Sequence, residues 1–176
     1  GITINSTSGN VTFGGAIDDT NNRGTQLNLD AGSGSITFSG AVGAVPLTSL
    51  TIDAGAVDFD NTLAVAGNID IDTGTASFDN TITTTGGGTV TISNSGTLTI
   101  ASAADMTLDG AFLQDGAGGV SNAADITTSG DSIGFNGALT LTGDQSFDTT
   151  NSAAAGANVS FNSTVTGAQS LTVNSG

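Results

Sequence analysis

Two pairs of aspartates are the residues best placed to do chemistry: Asp58 and Asp60 in VDFD, and Asp70 and Asp72 in IDID. In an extended strand alternate residues share a side, so each pair would present both carboxylates outward about 7 Å apart. That separation falls within the range used by inverting glycosidases. The competing expectation is that Asp solubilises a wet face and closes turns. The second is favoured, because the chain holds no Glu, Lys or His to assist and both pairs sit inside a repeated motif. No catalytic residue is assigned, and the chain is expected not to be an enzyme.

The same aspartates pose an electrostatic problem. Aligned on the recurring motifs, Asp30, Asp53 and Asp72 follow equivalent apolar residues, and Asp60 falls over Asp79. If those positions stack at ~4.8 Å, each pair of carboxylates repels by about 0.9 kcal/mol even at the dielectric of water. Calcium would offset this, since it prefers oxygen ligands. Asp30, Asp53, Asp72, Asp60 and Asp79 are therefore candidate calcium ligands, and calcium is the one cofactor the sequence raises. Mobile counterions would also serve, and Ser39, Ser93, Asn136 and Asn162 interrupt the columns. A further surface array, including Thr3, Thr37, Thr51, Thr91, Thr99 and Thr140, has the regularity of an ice-binding face. Thr is equally the ordinary strand former for a wet surface.

Elements that would position these residues are legible from composition. All 16 acidic residues of the 176-residue chain are Asp; Arg23 is the only cation, and Cys is absent. Thr, Val, Ile and Phe favour strands, while Gly, Asp, Asn and Ser favour turns, so the alphabet is that of an all-β chain. A net charge of −15 repels phosphate backbones, which excludes nucleic acid as a partner. No apolar run approaches the roughly 18 residues of a membrane helix, so direct membrane insertion is not expected.

Two short motifs recur. One is FGGAI at 13, FSGAV at 38, FDNTL at 59, FDNTI at 78, FNGAL at 135 and FNSTV at 161. The other is ITIN at 2, LNLD at 27, LTID at 50, IDID at 69, MTLD at 106 and LTVN at 171. In the first half they alternate, each returning after roughly 20 residues, as FDNTL and FDNTI show. Apolar–polar alternation over three to five positions marks short strands wet on one side, and the period fits one turn of a parallel β-solenoid. The rival, a hairpin-built sandwich, lacks regular Asn-Gly or Asp-Gly turns between the motifs. Stacking would place Phe13, Phe38, Phe59, Phe78, Phe135 and Phe161 in the core together with Ile52 and Ile71. About eight coils are expected, with looser loops near 101–124 and 151–158, and Pro46 at a corner.

The approximately 20-residue repeats, the run GSITFSGAVGAVPLTSLTIDAG at 34 to 55, and the Gly/Ala/Thr/Ser/Asn/Asp composition resemble the repeat regions of large bacterial surface proteins. The likeness is to the filamentous haemagglutinin and autotransporter adhesin type. That resemblance implies a right-handed β-helix, exported to the extracellular cell surface and serving as a stalk, fibre or adhesive face. Residues 1–176 are accordingly expected to be one continuous solenoid segment of a longer repetitive chain. Its expected partners are other coils of that chain or copies of itself, and host or matrix polysaccharide is a further candidate.

Overall fold

The computed structural model describes residues 1–151 and 155–176, and among these there is no helix. Short strands wind into a parallel β-solenoid with three sides. On the first side Ile2–Asn5, Gln26–Asp30, Val90–Asn94, Phe112–Gln114, Ile133–Phe135 and Val159–Phe161 stack with the leading halves of Ser49–Phe59 and Ile69–Phe78. The trailing halves of those two long strands stack on the second side with Val11–Phe13, Ser35–Phe38, Leu98–Ile100, Val120–Asn122, Leu139–Leu141 and Val165–Thr166. The third side runs from Val42–Leu47 through Leu63–Val65, Ile82–Thr84, Met106–Leu108, Ile126–Thr128 and Gln145–Asp148 to Leu171–Asn174. Every strand pairing is parallel and in register with the next coil, except one shift between Val42 and Leu47. Coils differ in length: Leu50 pairs with Ile69 across one of the shortest, and Ile133 with Val159 across one of the longest.

Inward residues form continuous columns. Ile4, Leu29, Ile52, Ile71 and Ile92 share one, as the motif alignment predicts. Phe13, Phe38, Phe59 and Phe78 share another, with ring centroids 5.0, 4.5 and 5.1 Å apart and planes within 11° of parallel. Stacking that close follows from the ladder itself, which fixes successive strands at nearly the same spacing.

Several expectations need correction. Phe135 and Phe161 are in the core cluster but on the first side, following Gln114 in the column of Ile52 and Ile71. MTLD and LTVN likewise lie on the third side. The physical reason is that Phe-x-x-Ala/Thr-aliphatic encodes a tight corner between two strands, and either corner of the coil can use it. The first and second sides each carry eight strands and the third carries seven, with Ile17 bridging to Val42 in the first coil, so the chain makes about seven full turns, close to the eight coils expected. The stretch 101–124 is not a loose loop: Met106–Leu108, Phe112–Gln114 and Val120–Asn122 are as regular as their neighbours. Pro46 lies in the bulge of Val42–Leu47, where a missing amide breaks no ladder bond. Of the loop expected at 151–158, residues 152–154 lie outside the described residues.

Sequence reasoning also missed a buried amide network. Gln114 Nε2 donates to Asn94 Oδ1 (2.6 Å) and the Gly116 carbonyl (2.7 Å), while its Oε1 accepts the Asn136 and Gly137 amides at 3.1 and 2.8 Å. Asn122 Nδ2 donates to Gln145 Oε1 and to the Ala124 carbonyl. Left unpaired, each buried amide would cost about 1 to 3 kcal/mol. Among the described residues no buried side-chain polar atom lacks a partner.

At the corner between first and second sides the coils touch backbone to backbone. Gly9, Gly34, Gly55, Gly74, Gly96, Gly118 and Gly137 succeed one another there, and a Cβ on any after the first would collide with a carbonyl of the preceding coil. It would lie 2.5 Å from the Gly9 oxygen at Gly34 and 2.8 Å from the Gly74 oxygen at Gly96. These are contact requirements, since none of the seven has positive φ.

Two substitutions test this packing by urea unfolding. Phe59→Ala removes a central ring of the stack and should cost about 3 to 5 kcal/mol; a loss below about 1 kcal/mol would mean the column is not what holds these coils together. Gly74→Ala should cost about 1 to 3 kcal/mol through overpacking against Gly55. Gly14→Ala, where nothing lies within 4 Å of a built Cβ, should be near neutral, and equal effects at the two glycines would refute the corner assignment.

Candidate functional site

Most aspartates are structural fasteners. Asp105 Oδ1 accepts the Asp125 amide (3.0 Å), and Asp125 Oδ1 accepts the Ser146 amide (2.7 Å), so successive corners are tied coil to coil. Asp144 holds the Ser170 amide (2.8 Å), Asp109 the Gly87 amide (2.8 Å) and Asp18 the Val45 amide (3.1 Å) in the same way. Asp19 is buried beneath the 18–25 turn and accepts the Gly24 and Thr25 amides and the Thr25 hydroxyl at 2.9 to 3.0 Å. Chiefly the Thr25 amide holds its carboxyl below the ordinary value, against the opposing effect of burial. The Thr150 hydroxyl and amide do the same for Asp148.

A different group carries no such bonds. Among the described residues the carboxylates of Asp53, Asp58, Asp60, Asp70 and Asp72 accept no hydrogen bond. They gather outward on the two coils built from the long strands Ser49–Phe59 and Ile69–Phe78. Glycine corners let each strand run unbroken across two sides, which projects Asp53 and Asp72 from the first and Asp58 from the second.

The columns expected from the sequence are real: Asp30, Asp53 and Asp72 stand in register, flanked by Asn5 and Ser93. Asp79 follows Phe78 directly over Asp60, each amide bonding the Phe carbonyl of the preceding coil at 3.0 Å. The tightest acidic group joins one from each reading, for carboxylate oxygens of Asp58, Asp60 and Asp79 lie within 4.8 Å of one another. The separation of about 7 Å expected for Asp58 and Asp60 assumes an extended strand. The strand ends at Phe59, and the corner folds Asp60 back toward Asp58. Burial pushes the Asp58 carboxyl above its ordinary value, and the Asp60 and Asp79 charges push it further the same way.

Three clustered carboxylates offer oxygen ligands to a hard divalent cation, yet they are half or fewer of the roughly six to eight that calcium takes. Asp30 is less suited, since its carboxylate already accepts the Gly32 amide (2.9 Å) and the Asn5 side-chain amide (3.2 Å). Beside the cluster runs an open groove of about 480 Å³, crossing several coils of the second side and lined by Ser35, Asp58, Thr75, Ser77, Asp79 and Thr97 among others. Hydroxyls and carboxylates there can hydrogen-bond a polar ligand. The Phe rings of the same strands point inward and are unavailable for stacking on one.

Opposite pKa displacements give opposite stability effects. For Asp58 the folded form holds its proton more tightly than the unfolded chain, so its penalty is full at neutral pH and vanishes as pH falls toward the ordinary value of 3.8. For Asp19 the folded form ionises more readily, so its contribution is full at neutral pH and is lost only below that value. Asp58→Asn should therefore raise the melting temperature at pH 7, with the gain closing near pH 4, whereas Asp19→Asn should lower it at both. A pH-independent gain for Asp58→Asn, or none, would show that charge crowding does not act there.

Comparison with protein-family models, with curated proteins and with solved structures found no match to this chain.

Proposed function

We propose that this chain is a non-enzymatic structural segment of an extracellular fibre, adhesin stalk or matrix layer at the cell surface. The observation that carries the reading is that the parallel ladder and its inward columns run from the first coil to the last. Corner glycines and aspartate fasteners add ties between many of the coils, which is what a rod needs to keep its shape. The surface that remains is short in chemically versatile groups: Asp carboxylates, Thr and Ser hydroxyls and one Arg. A dense negative charge suits a solvated rod exposed along its length. In the source cells an antibody against the chain should label intact, unpermeabilised cells, and labelling only after permeabilisation would sink the surface assignment.

The groove favours a second reading, binding of a polysaccharide. Its lining differs from coil to coil, with Ser35, Ala56, Thr75 and Thr97 occupying successive positions. In this reading the hydroxyls and Asp58 contact sugar hydroxyls, and the chain holds the polysaccharide without cleaving it.

A further inference from the structure

We infer that Asn136–Gly137 is a site of spontaneous deamidation that the folded coil holds shut, with the buried Gln114 carboxamide as the lock. The only reagent is water, and the site opens only where the coil opens.

Asn136–Gly137 is the one Asn-Gly pair in the chain. Such a pair carries its own nucleophile. Once the Gly137 amide gives up its proton, its nitrogen attacks Asn136 Cγ and closes a cyclic imide. The Cγ–Nδ2 bond breaks, and Nδ2 leaves as ammonia with that proton. A water molecule then opens the ring at either carbonyl, giving an aspartyl or an isoaspartyl linkage. Glycine in the second place favours closure, because no Cβ shields the nitrogen and the backbone turns freely. The five Asn-Ser pairs, Asn5 and Asn162 among them, put a side chain beside that nitrogen.

The fold occupies each group that this reaction needs. The Gly137 amide donates to Gln114 Oε1 (2.8 Å), and Gln114 is wholly buried. Asn136 Nδ2 donates to Asp115 Oδ1 (2.8 Å), and Asn136 Oδ1 accepts the Asn162 side-chain amide (2.7 Å), so the carboxamide is pinned at both polar atoms. The Asn136 amide is bonded as well, to the carbonyl and the Oε1 of Gln114 at 3.0 and 3.1 Å. With both amides held on one side chain, the backbone cannot turn the Gly137 nitrogen toward Cγ.

The vulnerable pair is present because the coil needs both residues. Gly137 belongs to the corner ladder, where a Cβ would strike the Gly118 carbonyl. Asn136 is the amide that bridges Asp115 to Asn162 in their column. An aspartate in its place would lack the donor for that bridge and would set a second carboxylate against Asp115. An isoaspartyl linkage would also add a backbone atom between Phe135 and Leu139, both of which pair with the following coil. Unfolding therefore exposes a reaction whose product does not fit back into the stack.

The test follows conversion of Asn136 by mass spectrometry of peptic peptides, from chain held at mildly alkaline pH either folded or in guanidinium. In denaturant Asn136 should convert ahead of every other asparagine. The folded chain should convert at least about tenfold more slowly, the factor that one buried hydrogen bond supplies. Loss of the amide changes the mass, which separates it from ring closure at Asp109–Gly110 and Asp115–Gly116, where water leaves and returns. Gln114→Ala should bring the folded rate toward the denatured one while the circular dichroism spectrum stays that of the wild type. Asp115→Ala, which frees Asn136 Nδ2 at an exposed position, takes its place if Gln114→Ala fails to fold. Equal rates in the two states, another asparagine converting first in denaturant, or a folded variant no faster than wild type would each overturn the inference.

Discussion

Each coil of this chain must lie flat on the one before it, at the spacing of a parallel β ladder, for its backbone to be hydrogen-bonded at all. Everything else follows from that constraint. At the corner between first and second sides the coils touch so closely that a Cβ has no room, which places Gly34, Gly55, Gly74, Gly96, Gly118 and Gly137 in line. Inward residues can stack only if their sizes agree from coil to coil, which produces the parallel rings of Phe13, Phe38, Phe59 and Phe78. Where the interior turns polar, the polar groups must find one another within the same geometry, as Asn94 and Gln114 do.

The acidic character of the chain divides along the same lines. A carboxylate at a corner is within reach of an amide one coil away, and Asp105, Asp125 and Asp144 use that reach to fasten neighbours. A carboxylate on a strand face has no amide to meet, because those amides are already in the ladder. Asp58 stands on such a face, and Asp60 and Asp79, at the corner just beyond the strands, bring their carboxylates close to it.

The solenoid was legible in the sequence because its period is a direct consequence of stacking; the interval from Phe59 to Phe78 is one coil. The later coils were misaligned because the Phe motif reports a corner and not a side. The interval from Phe78 to Phe135 is three times that from Phe59 to Phe78, so spacing alone gives no sign of the slip. Within the candidate site, Asp60 over Asp79 followed from the repeat, whereas the approach of Asp58 depends on where the strand ends. The buried amides were readable in principle: Asn122 stands two positions after Val120, and Gln114 two after Phe112, which puts both inward by alternation. Polarity argued the other way, and the pairing that resolves the conflict joins side chains a whole coil apart.

The change of interior, from stacked rings in the early coils to paired amides after Ile92, also decides how such a chain can lengthen by duplication. A second copy of residues 60–78 would bring its own Gly67, Gly74 and Phe78 into the existing columns and leave every neighbour satisfied. An extra coil between Asn94 and Gln114, or between Gln114 and Asn136, would break a buried amide bond that runs from one coil to the next. The aromatic half can grow one coil at a time, while the amide half is inherited whole.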